Sequence, residues 1–231
     1  MTKVAVLFSG GLDSTTALAW ALRRYDQVFP LTFDYGQRHR LEIRMAARAV
    51  RRLRLPHAIL KVDLGQIGGS ALTDRAMAVP ELKSLDDMED GPPSTYVPFR
   101  NGVLLSLAAA WAETRDIRHL VTGFNVIDSP YYPDTRPDFV IAMEAALNAG
   151  TRAAFDQDKW HILAPFIGLK KSEIIAEGLS LGVDYSYAIS CYAGGEVPCR
   201  TCSSCLLRQR AWQEAGRPDP LLARLAKEKK L

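Results

Sequence analysis

The sequence predicts an α/β fold, a parallel sheet with helices on both faces, followed by a C-terminal segment that binds a metal. Short apolar runs alternate with segments of helical period through the first half of the chain. The first of these runs, residues 4–8, leads through a glycine turn into a helix. The cysteines of the chain all fall within residues 191–205, which predicts the metal-binding segment.

The predicted elements alternate between strand and helix. The predicted strands cover residues 4–8, 28–33, 58–62, 119–122 and 160–165. The predicted helices run from the glycine turn to about residue 24, over 39–53, 103–114 and 138–149, from about residue 170 onward, and over 206–213. Sheets of this kind bind ligands at the carboxyl ends of their strands, so the loops after the first two strands are expected to share one crevice.

The remaining segments predict the domain organisation. Residues 1–185 are expected to form the α/β domain, with 186–231 as a zinc-binding segment and helix packed on it. Residues 64–95 are rich in glycine and proline without periodicity, which predicts a mobile lid or an insertion. The charged tail, residues 225–231, is expected to be frayed.

The turn after the first strand predicts a phosphate-binding loop. Gly10 and Gly11 lack a Cβ atom, so the backbone there can turn sharply and approach a ligand closely. Free N–H groups at the start of the next helix form an anion site, and the hydroxyls of Ser9, Ser14 and Thr15 add donors. The stretch has neither the lysine of a Walker A loop nor the G-x-G-x-x-G of a dinucleotide site. The simpler alternative is an ordinary capped strand-to-helix turn.

Other polar stretches stand at predicted strand ends and helix starts. Residues 34–39 and 123–137 combine charged, amide and aromatic side chains, and the second composition suits a heterocyclic base. Arg100, beside Asn101, offers a rigid fork for a carboxylate or phosphate, unless it is a surface residue and Asn101 a helix cap. Lys171 opens a helix, where the dipole disfavours cations, and this predicts a nearby anion unless the lysine is simply exposed.

Composition excludes some classes of function. The chain has 231 residues, 48% hydrophobic and 24% charged, which is ordinary for a globular protein. A net charge of +3 gives weak support for a polyanionic partner, and the arginines of residues 44–54 are interpreted as a solvated helix face. No apolar run approaches membrane-spanning length, and the first strand begins too early to leave room for a signal peptide, so the expected location is cytoplasmic.

The cysteine spacing is C-x7-C-x2-C-x2-C. In a reducing compartment such crowding favours metal over disulfides, and four thiolates close a tetrahedron around Zn²⁺ with no open position. The sequence therefore predicts one structural zinc per chain, the alternative being scattered buried thiols. The expected ligands are Cys191, Cys199, Cys202 and Cys205.

These motifs together resemble the 7-cyano-7-deazaguanine synthase (QueC) family of the ATP pyrophosphatases, from residue 4 to about 210. The order is Ser9-Gly10-Gly11-Leu12-Asp13-Ser14, then residues 33–39, then 96–98 with Arg100-Asn101. Tyr132-Pro133-Asp134 with Arg136, Lys171 with Glu173, and residues 190–192 with the last three cysteines follow. The first motif is shared by the whole superfamily, and the later ones narrow the resemblance to this family.

The resemblance implies an adenine nucleotide alpha hydrolase-like, Rossmann-like fold and an ATP-dependent carbon–nitrogen ligase. Such an enzyme converts 7-carboxy-7-deazaguanine and ammonia to the nitrile through adenylated acid and amide intermediates, releasing AMP and pyrophosphate. The partners implied are small molecules, with Mg²⁺ accompanying ATP, no nucleic acid and no membrane, and a homodimer is expected. The residues expected to bind ATP are Phe8, Ser9, Gly10, Gly11, Leu12, Asp13, Ser14, Thr15, Thr16, Ala17 and Leu18. The expected catalytic residues are Asp13, Ser14 and Lys171, and the expected substrate-binding residues are Arg100, Asn101, Asp128, Tyr132, Asp134 and Arg136.

The sequence departs from the family pattern mainly in the presumed substrate loop. The departures are Phe99, Ser129-Pro130-Tyr131, Thr135, Lys170 and Arg200. They leave open a related ligase that stops at the amide or uses another amine. A tRNA-modifying enzyme with the same loop is a second alternative, although every cysteine is assigned to the metal and no RNA-binding domain is evident.

Overall fold

The computed structural model describes residues 1–88, 90–128 and 130–231. Glu89 of the predicted lid and Ser129 of the predicted substrate loop lie outside the described residues. The strands are β1 Lys3–Leu7, β2 Gln27–Asp34, β3 Ala58–Lys61, β4 His119–Val121 and β5 His161–Leu163. The α-helices are α1 Leu12–Leu22, α2 Leu41–Leu53, α3 Arg100–Glu113, α4 Pro137–Gly150, α5 Lys171–Ser180, α6 Ser203–Glu214 and α7 Pro220–Lys227.

The strands form one parallel sheet in the order β3-β2-β1-β4-β5. The chain therefore builds outward from β1 in one direction, then returns and builds outward from β4 in the other. The point where the order reverses, between the carboxyl ends of β1 and β4, is where a crevice opens in sheets of this class. The prediction of a parallel α/β sheet is confirmed.

The side chains of β1 point alternately to the two faces of the sheet, and each face carries its own layer of the core. Val4 and Val6 pack with α1, α2, α5 and α6 on one face, where Ile174 and Trp212 are almost wholly buried. Ala5 lies on the opposite face with α3 and α4. Successive strand side chains point to opposite faces, so an unbroken apolar run is required here to meet helices on both.

The C-terminal tail differs from its predicted frayed state. Helix α7 begins at Pro220, is capped by the Asp219 carboxylate, and buries Leu221 and Leu225 to 1% exposure each. These leucines lie one helical turn apart and pack with Ile189, which gives the segment an apolar face despite its charge. The prediction of a frayed tail from residue 225 is therefore wrong as far as α7 extends.

The glycine- and proline-rich segment 64–95 contains short 3-10 turns at Leu64–Gln66 and Leu85–Asp87. Its backbone is fastened to the body of the protein by the hydrogen bonds Arg38 N to Leu72 O and Leu82 N to Thr201 O, both 2.8 Å. The segment also walls a second cavity of about 230 Å³ beside Cys202. Whether it moves as a lid stays a prediction.

Within the described ranges, the helices are all too short or too polar to cross a bilayer.

Candidate functional site

A cavity of about 280 Å³ opens at the carboxyl ends of β1 and β4. Its walls come from the loop after β1, the loop after β2, the start of α3 and the loop after β4, with residues 189–192 on the C-terminal side. This is the crevice predicted for a parallel sheet at its reversal point. Residues from several of the predicted motifs therefore meet at one place, although they are far apart in the sequence.

The loop after β1 forms the floor of this cavity. The Ser9 hydroxyl accepts a hydrogen bond from Gly11 N at 3.2 Å and lies 3.1 Å from the Ser14 hydroxyl. Gly10 has φ +82°, and a Cβ atom there would lie 2.9 Å from the Glu42 carbonyl oxygen of α2. Only glycine allows both this backbone conformation and this close packing. Among the residues that the structure describes, no side chain caps the start of α1, so its first N–H groups are available to an anion.

Part of the predicted ATP-binding stretch lines the cavity and part does not. The lining residues are Phe8, Ser9, Gly11, Leu12, Asp13 and Ser14. The Thr15 hydroxyl donates to Gly11 O at 2.7 Å, and the Thr16 hydroxyl lies 2.7 Å from Tyr185 Oη. Ala17 and Leu18 are core residues. None of the last four positions of the predicted stretch lines the cavity, and three of them are buried, so their contact with ATP stays a prediction.

Asp13 and Lys171 form an ion pair at the edge of the phosphate loop, with Lys171 Nζ 2.6 Å from Asp13 Oδ2. The other oxygen, Asp13 Oδ1, is buried and has no hydrogen-bond partner among the described residues. An orphaned carboxylate oxygen beside an anion-binding loop has the donor chemistry that Mg²⁺ prefers. The residues present thus fit a nucleotide-bound magnesium.

Arg100 reaches the cavity from the first turn of α3. Its Nη1 donates to Tyr35 Oη at 3.3 Å, and its guanidinium carbon lies 5.6 Å from the Tyr35 ring centroid. Burial raises the pKa of Tyr35 to about 12, so its hydroxyl stays protonated. Burial alone would lower the pKa of Arg100, but the facing Tyr35, Tyr192 and Asp134 raise it, so the guanidinium stays charged in the cavity.

The other predicted substrate residues take different positions. Asn101 and Tyr132 line the cavity. The Asp134 carboxylate is buried and accepts from Asn101 N at 2.8 Å, and Asp128 accepts from Lys171 N at 2.6 Å and Arg210 Nη2 at 2.7 Å. Asp128 is thus the anion expected at the start of α5. Neither carboxylate is among the cavity-lining groups, and Arg136 is exposed beside Asp138.

Sequence reasoning missed several residues of the cavity. A Cβ atom on Gly123 would lie 2.9 Å from Asp13 C and Ser14 N, so this glycine lets the loop after β4 pack on the phosphate loop. The Thr122 hydroxyl beside it is buried without a partner among the described residues. Glu42, at the start of α2, also lines the cavity, as does His39 of the predicted 34–39 stretch. The closeness of Glu42 to that stretch was the available signal.

The four cysteines form a separate cluster on the C-terminal side. Their sulfur atoms lie within 4.8 Å of one another, and those of Cys199 and Cys205 are 3.9 Å apart. A tetrahedral zinc with Zn–S bonds of about 2.3 Å places its sulfurs about 3.8 Å apart. Hydrogen bonding to the Cys191 sulfur raises the pKa of Cys202 to about 12, so a divalent cation is needed for every thiol to ionise. The donor set therefore fits zinc.

Comparison with known proteins identifies the family. A model of the family described as "Queuosine biosynthesis protein QueC" matches residues 3–216. A 7-cyano-7-deazaguanine synthase of Cupriavidus necator is 46% identical over 224 residues, covering 95% of this chain and 97% of that protein. The chain belongs to the QueC family. The resemblance inferred from the motifs, and with it the prediction of a queuosine-biosynthesis enzyme, is confirmed.

Two further similarities fit the QueC assignment. A 7-cyano-7-deazaguanine synthase of Cellvibrio japonicus is 44% identical over 222 residues, covering 94% of this chain and 96% of that protein. The solved structure of a 4-thiouridine synthetase, in complex with RNA and with bound ATP, superimposes with a TM-score of 0.52 at 18% identity, covering 99% of this chain and 53% of that one. At that identity the likeness concerns the fold alone.

Proposed function

We propose that this QueC protein converts 7-carboxy-7-deazaguanine and ammonia to 7-cyano-7-deazaguanine through adenylated acid and amide intermediates. Each of the two stages consumes one ATP and releases AMP and pyrophosphate. The supporting observation is that one cavity contains an uncapped helix start with its glycine loop, the Asp13–Lys171 pair and the part-buried cation Arg100.

The anion-binding loop accounts for the adenylation step. A carboxylate is a poor electrophile, and attack of its oxygen on the α-phosphorus of ATP supplies a good leaving group. As the bond to the β-phosphate breaks, charge develops on the departing pyrophosphate. The N–H groups at the start of α1 and the hydroxyls of Ser9 and Ser14 stand where that charge appears.

Asp13 and Lys171 are proposed to neutralise the charge of the ATP phosphates, Asp13 through magnesium and Lys171 by direct contact. Asp13 is positioned to hold magnesium through its orphaned oxygen, and magnesium supplies charge neutralisation to the nucleotide. Lys171 stands within 2.6 Å of Asp13 and is free to exchange that contact for a phosphate oxygen. Both side chains are part-buried, where an electrostatic interaction is less screened than at the surface.

Arg100 is proposed to orient the acid. A guanidinium fork pairs with a planar carboxylate, and the flanking Tyr35 and Tyr132 offer ring faces for a deazaguanine. Asn101 also lines the cavity. Among the other predicted substrate residues, Asp134 positions α3 through the Asn101 backbone and Asp128 positions α5, so we assign them to supporting roles; Arg136 remains a candidate at the rim.

Zinc is proposed to be structural. The four-cysteine cluster leaves no open ligand position, and Ser190 and Tyr192, next to Cys191, line the main cavity. Zinc bound to Cys191 would therefore also fix the position of Ser190 and Tyr192 in the cavity wall. We also propose that the chain acts on small molecules as a homodimer without nucleic acid, which mass photometry with and without tRNA tests.

The deciding experiment is incubation with magnesium, ATP, ammonium and 7-carboxy-7-deazaguanine, followed by mass spectrometry of the base. The expected products are the nitrile with two equivalents each of AMP and pyrophosphate. Accumulation of the amide alone would favour the shorter ligase left open by the departures around the substrate loop. Absence of AMP formation with this acid would contradict the proposal.

A further inference from the structure

The cavity contains a second acidic group that the phosphate chemistry does not use. Glu42 lines the cavity from the start of α2, three residues after the 33–39 motif, and its side chain is 12% exposed. It lies in the first turn of α2, where the helix dipole favours an ionised carboxylate. A negatively charged carboxylate repels ATP and an acid substrate bound in the same cavity. This repulsion is relieved if the carboxylate binds a cation.

One oxygen of Glu42 is held and the other is left for a ligand. Glu42 Oε1 accepts from Gln37 Nε2 at 3.1 Å and lies 3.3 Å from His39 Nε2. Gln37 is itself fixed by Tyr35 N, which donates to its Oε1 at 2.8 Å. Among the described residues, no hydrogen bond or ion pair involves Glu42 Oε2. The carboxylate is therefore positioned rather than neutralised.

His39 gives an independent indication of a ligand. It is 6% exposed, it lines the same cavity, and its Nδ1 atom is buried without a hydrogen-bond partner among the described residues. The rings of Tyr35 and Tyr192 lie 6.5 Å and 6.0 Å from the His39 ring, measured between centroids. A carboxylate surrounded by aromatic faces and a free ring nitrogen suits a small cation that donates hydrogen bonds.

The neighbouring cations do not occupy this position. The Arg38 guanidinium turns away to the carbonyl oxygens of Asp74 and Met77 at 2.9 Å and 2.7 Å. Arg100 is held on the Tyr35 hydroxyl, and Lys171 is paired with Asp13. The start of α2 packs on the phosphate loop, since a Cβ on Gly10 would lie 2.9 Å from Glu42 O. The free carboxylate oxygen thus belongs to a residue that adjoins the place where an acyl adenylate would form.

We infer that Glu42 and His39, walled by Tyr35 and Tyr192, form the subsite for the nitrogen nucleophile, which enters as ammonium. This inference rests on the proposed function. Ammonium gives one proton to Glu42 and becomes ammonia. The ammonia lone pair forms a C–N bond to the acyl carbon, the C–O bond to the AMP phosphate breaks, and AMP leaves with that electron pair. The second proton passes from the new C–N group to the departing phosphate, which gives the amide.

The test compares ammonium with hydroxylamine as nucleophile. Glu42→Gln keeps the size of the side chain but removes its charge, so the ammonium concentration at half-maximal rate is expected to rise by about tenfold or more. Hydroxylamine is neutral at neutral pH, so hydroxamate formation from the adenylate is expected to stay within about threefold of wild type. Glu42→Asp keeps the charge on a shorter side chain, so its ammonium concentration at half-maximal rate is expected to lie between those of wild type and Glu42→Gln.

Asp184→Asn is the matched control, because this exposed carboxylate pairs with Arg52 of the same helix, α2, outside the cavity. It is expected to leave the ammonium dependence unchanged. An unchanged ammonium dependence in Glu42→Gln, or an equal loss with ammonium and hydroxylamine, would overturn the subsite. Failure of the wild-type protein to form hydroxamate from 7-carboxy-7-deazaguanine would instead overturn the proposed function.

Discussion

At the scale of single residues, the site depends on charges brought together from distant parts of the chain. Asp13 and Lys171 are 158 positions apart, and their side chains are 26% and 15% exposed. At this depth an ion pair costs desolvation, and removing one partner leaves the other charge uncompensated. The pair is therefore weak evidence for stability, and under the proposed function it is a contact that magnesium and phosphate would replace.

Asp13→Asn is expected to reduce pyrophosphate release by about a hundredfold or more while the fold is retained, because it removes the charge that faces magnesium. Release is measured with the acid substrate present and ammonium absent. Asp26→Asn, on the exposed turn before β2, is the control and is expected to behave like wild type. Wild-type release by Asp13→Asn would contradict the active-site assignment.

At the scale of elements, two close contacts decide how the cavity is built. The first joins the loop after β4 to the start of α1 through Gly123. The second joins α6 to α7 through Arg208, which donates to the Asp219 carboxylate at 2.6 Å and 2.8 Å, with side chains 5% and 8% exposed. Arg208 also donates to Ala188 O at 2.8 Å, which fixes the segment that leads to the cavity wall at 189–192.

Gly123→Ala is expected to impair adenylation strongly, because its Cβ would press on the backbone of Asp13 and Ser14 and move the phosphate loop. Pyrophosphate release should fall by about tenfold or more, with a smaller effect on thermal stability. Gly150→Ala, where a Cβ meets open space, is the control. Equal activity in the two variants would show that the loop contact tolerates the displacement.

Asp219→Ala is expected to destabilise the fold by about 3 kcal/mol, because it leaves the buried Arg208 charge unpaired and removes the cap of α7. Denaturant unfolding measures this loss. Arg52→Ala breaks an exposed pair with Asp184 at 3.3 Å and should cost less than about 1 kcal/mol. Similar costs for the two would refute a distinctive role for the buried pair.

At the scale of the whole molecule, the C-terminal segment completes both the core and the site. Trp212 of α6 packs in the same core cluster as Val6 of β1, while Ser190 and Tyr192 line the cavity. The four cysteines, residues 191–205, lie in the sequence between Ser190 of the cavity wall and Trp212 of the core. Loss of its metal would therefore affect stability and the cavity wall together.

We expect one zinc per chain by elemental analysis. Chelation is expected to lower the thermal midpoint by about 10 °C or more, since the four clustered thiols lose the cation that would hold them together. Differential scanning calorimetry checks this, and added zinc should restore the midpoint. A metal-free protein with wild-type stability and activity would overturn the structural role.

The residues that sequence reasoning placed correctly are those whose local chemistry fixes their surroundings. The apolar run of β1, the glycines after it and the cysteine spacing each restrict the backbone or the ligand chemistry within a few positions. Thr15, Thr16 and Asp128 show the limit of such reasoning. Their polar groups suit a ligand as well as a helix, and only the structure shows that they contact Gly11, Tyr185 and Lys171.

The sequence by itself determined the parallel sheet, the phosphate loop, the cysteine cluster and the family, because each depends on residue types at short spacing. The tertiary structure alone decided which polar groups share the cavity, that Glu42 and His39 are among them, and that the tail folds as α7. The physical reason is that a contact across the sheet depends on strand order and helix packing. Neither strand order nor helix packing can be inferred from the types of the residues adjacent in sequence.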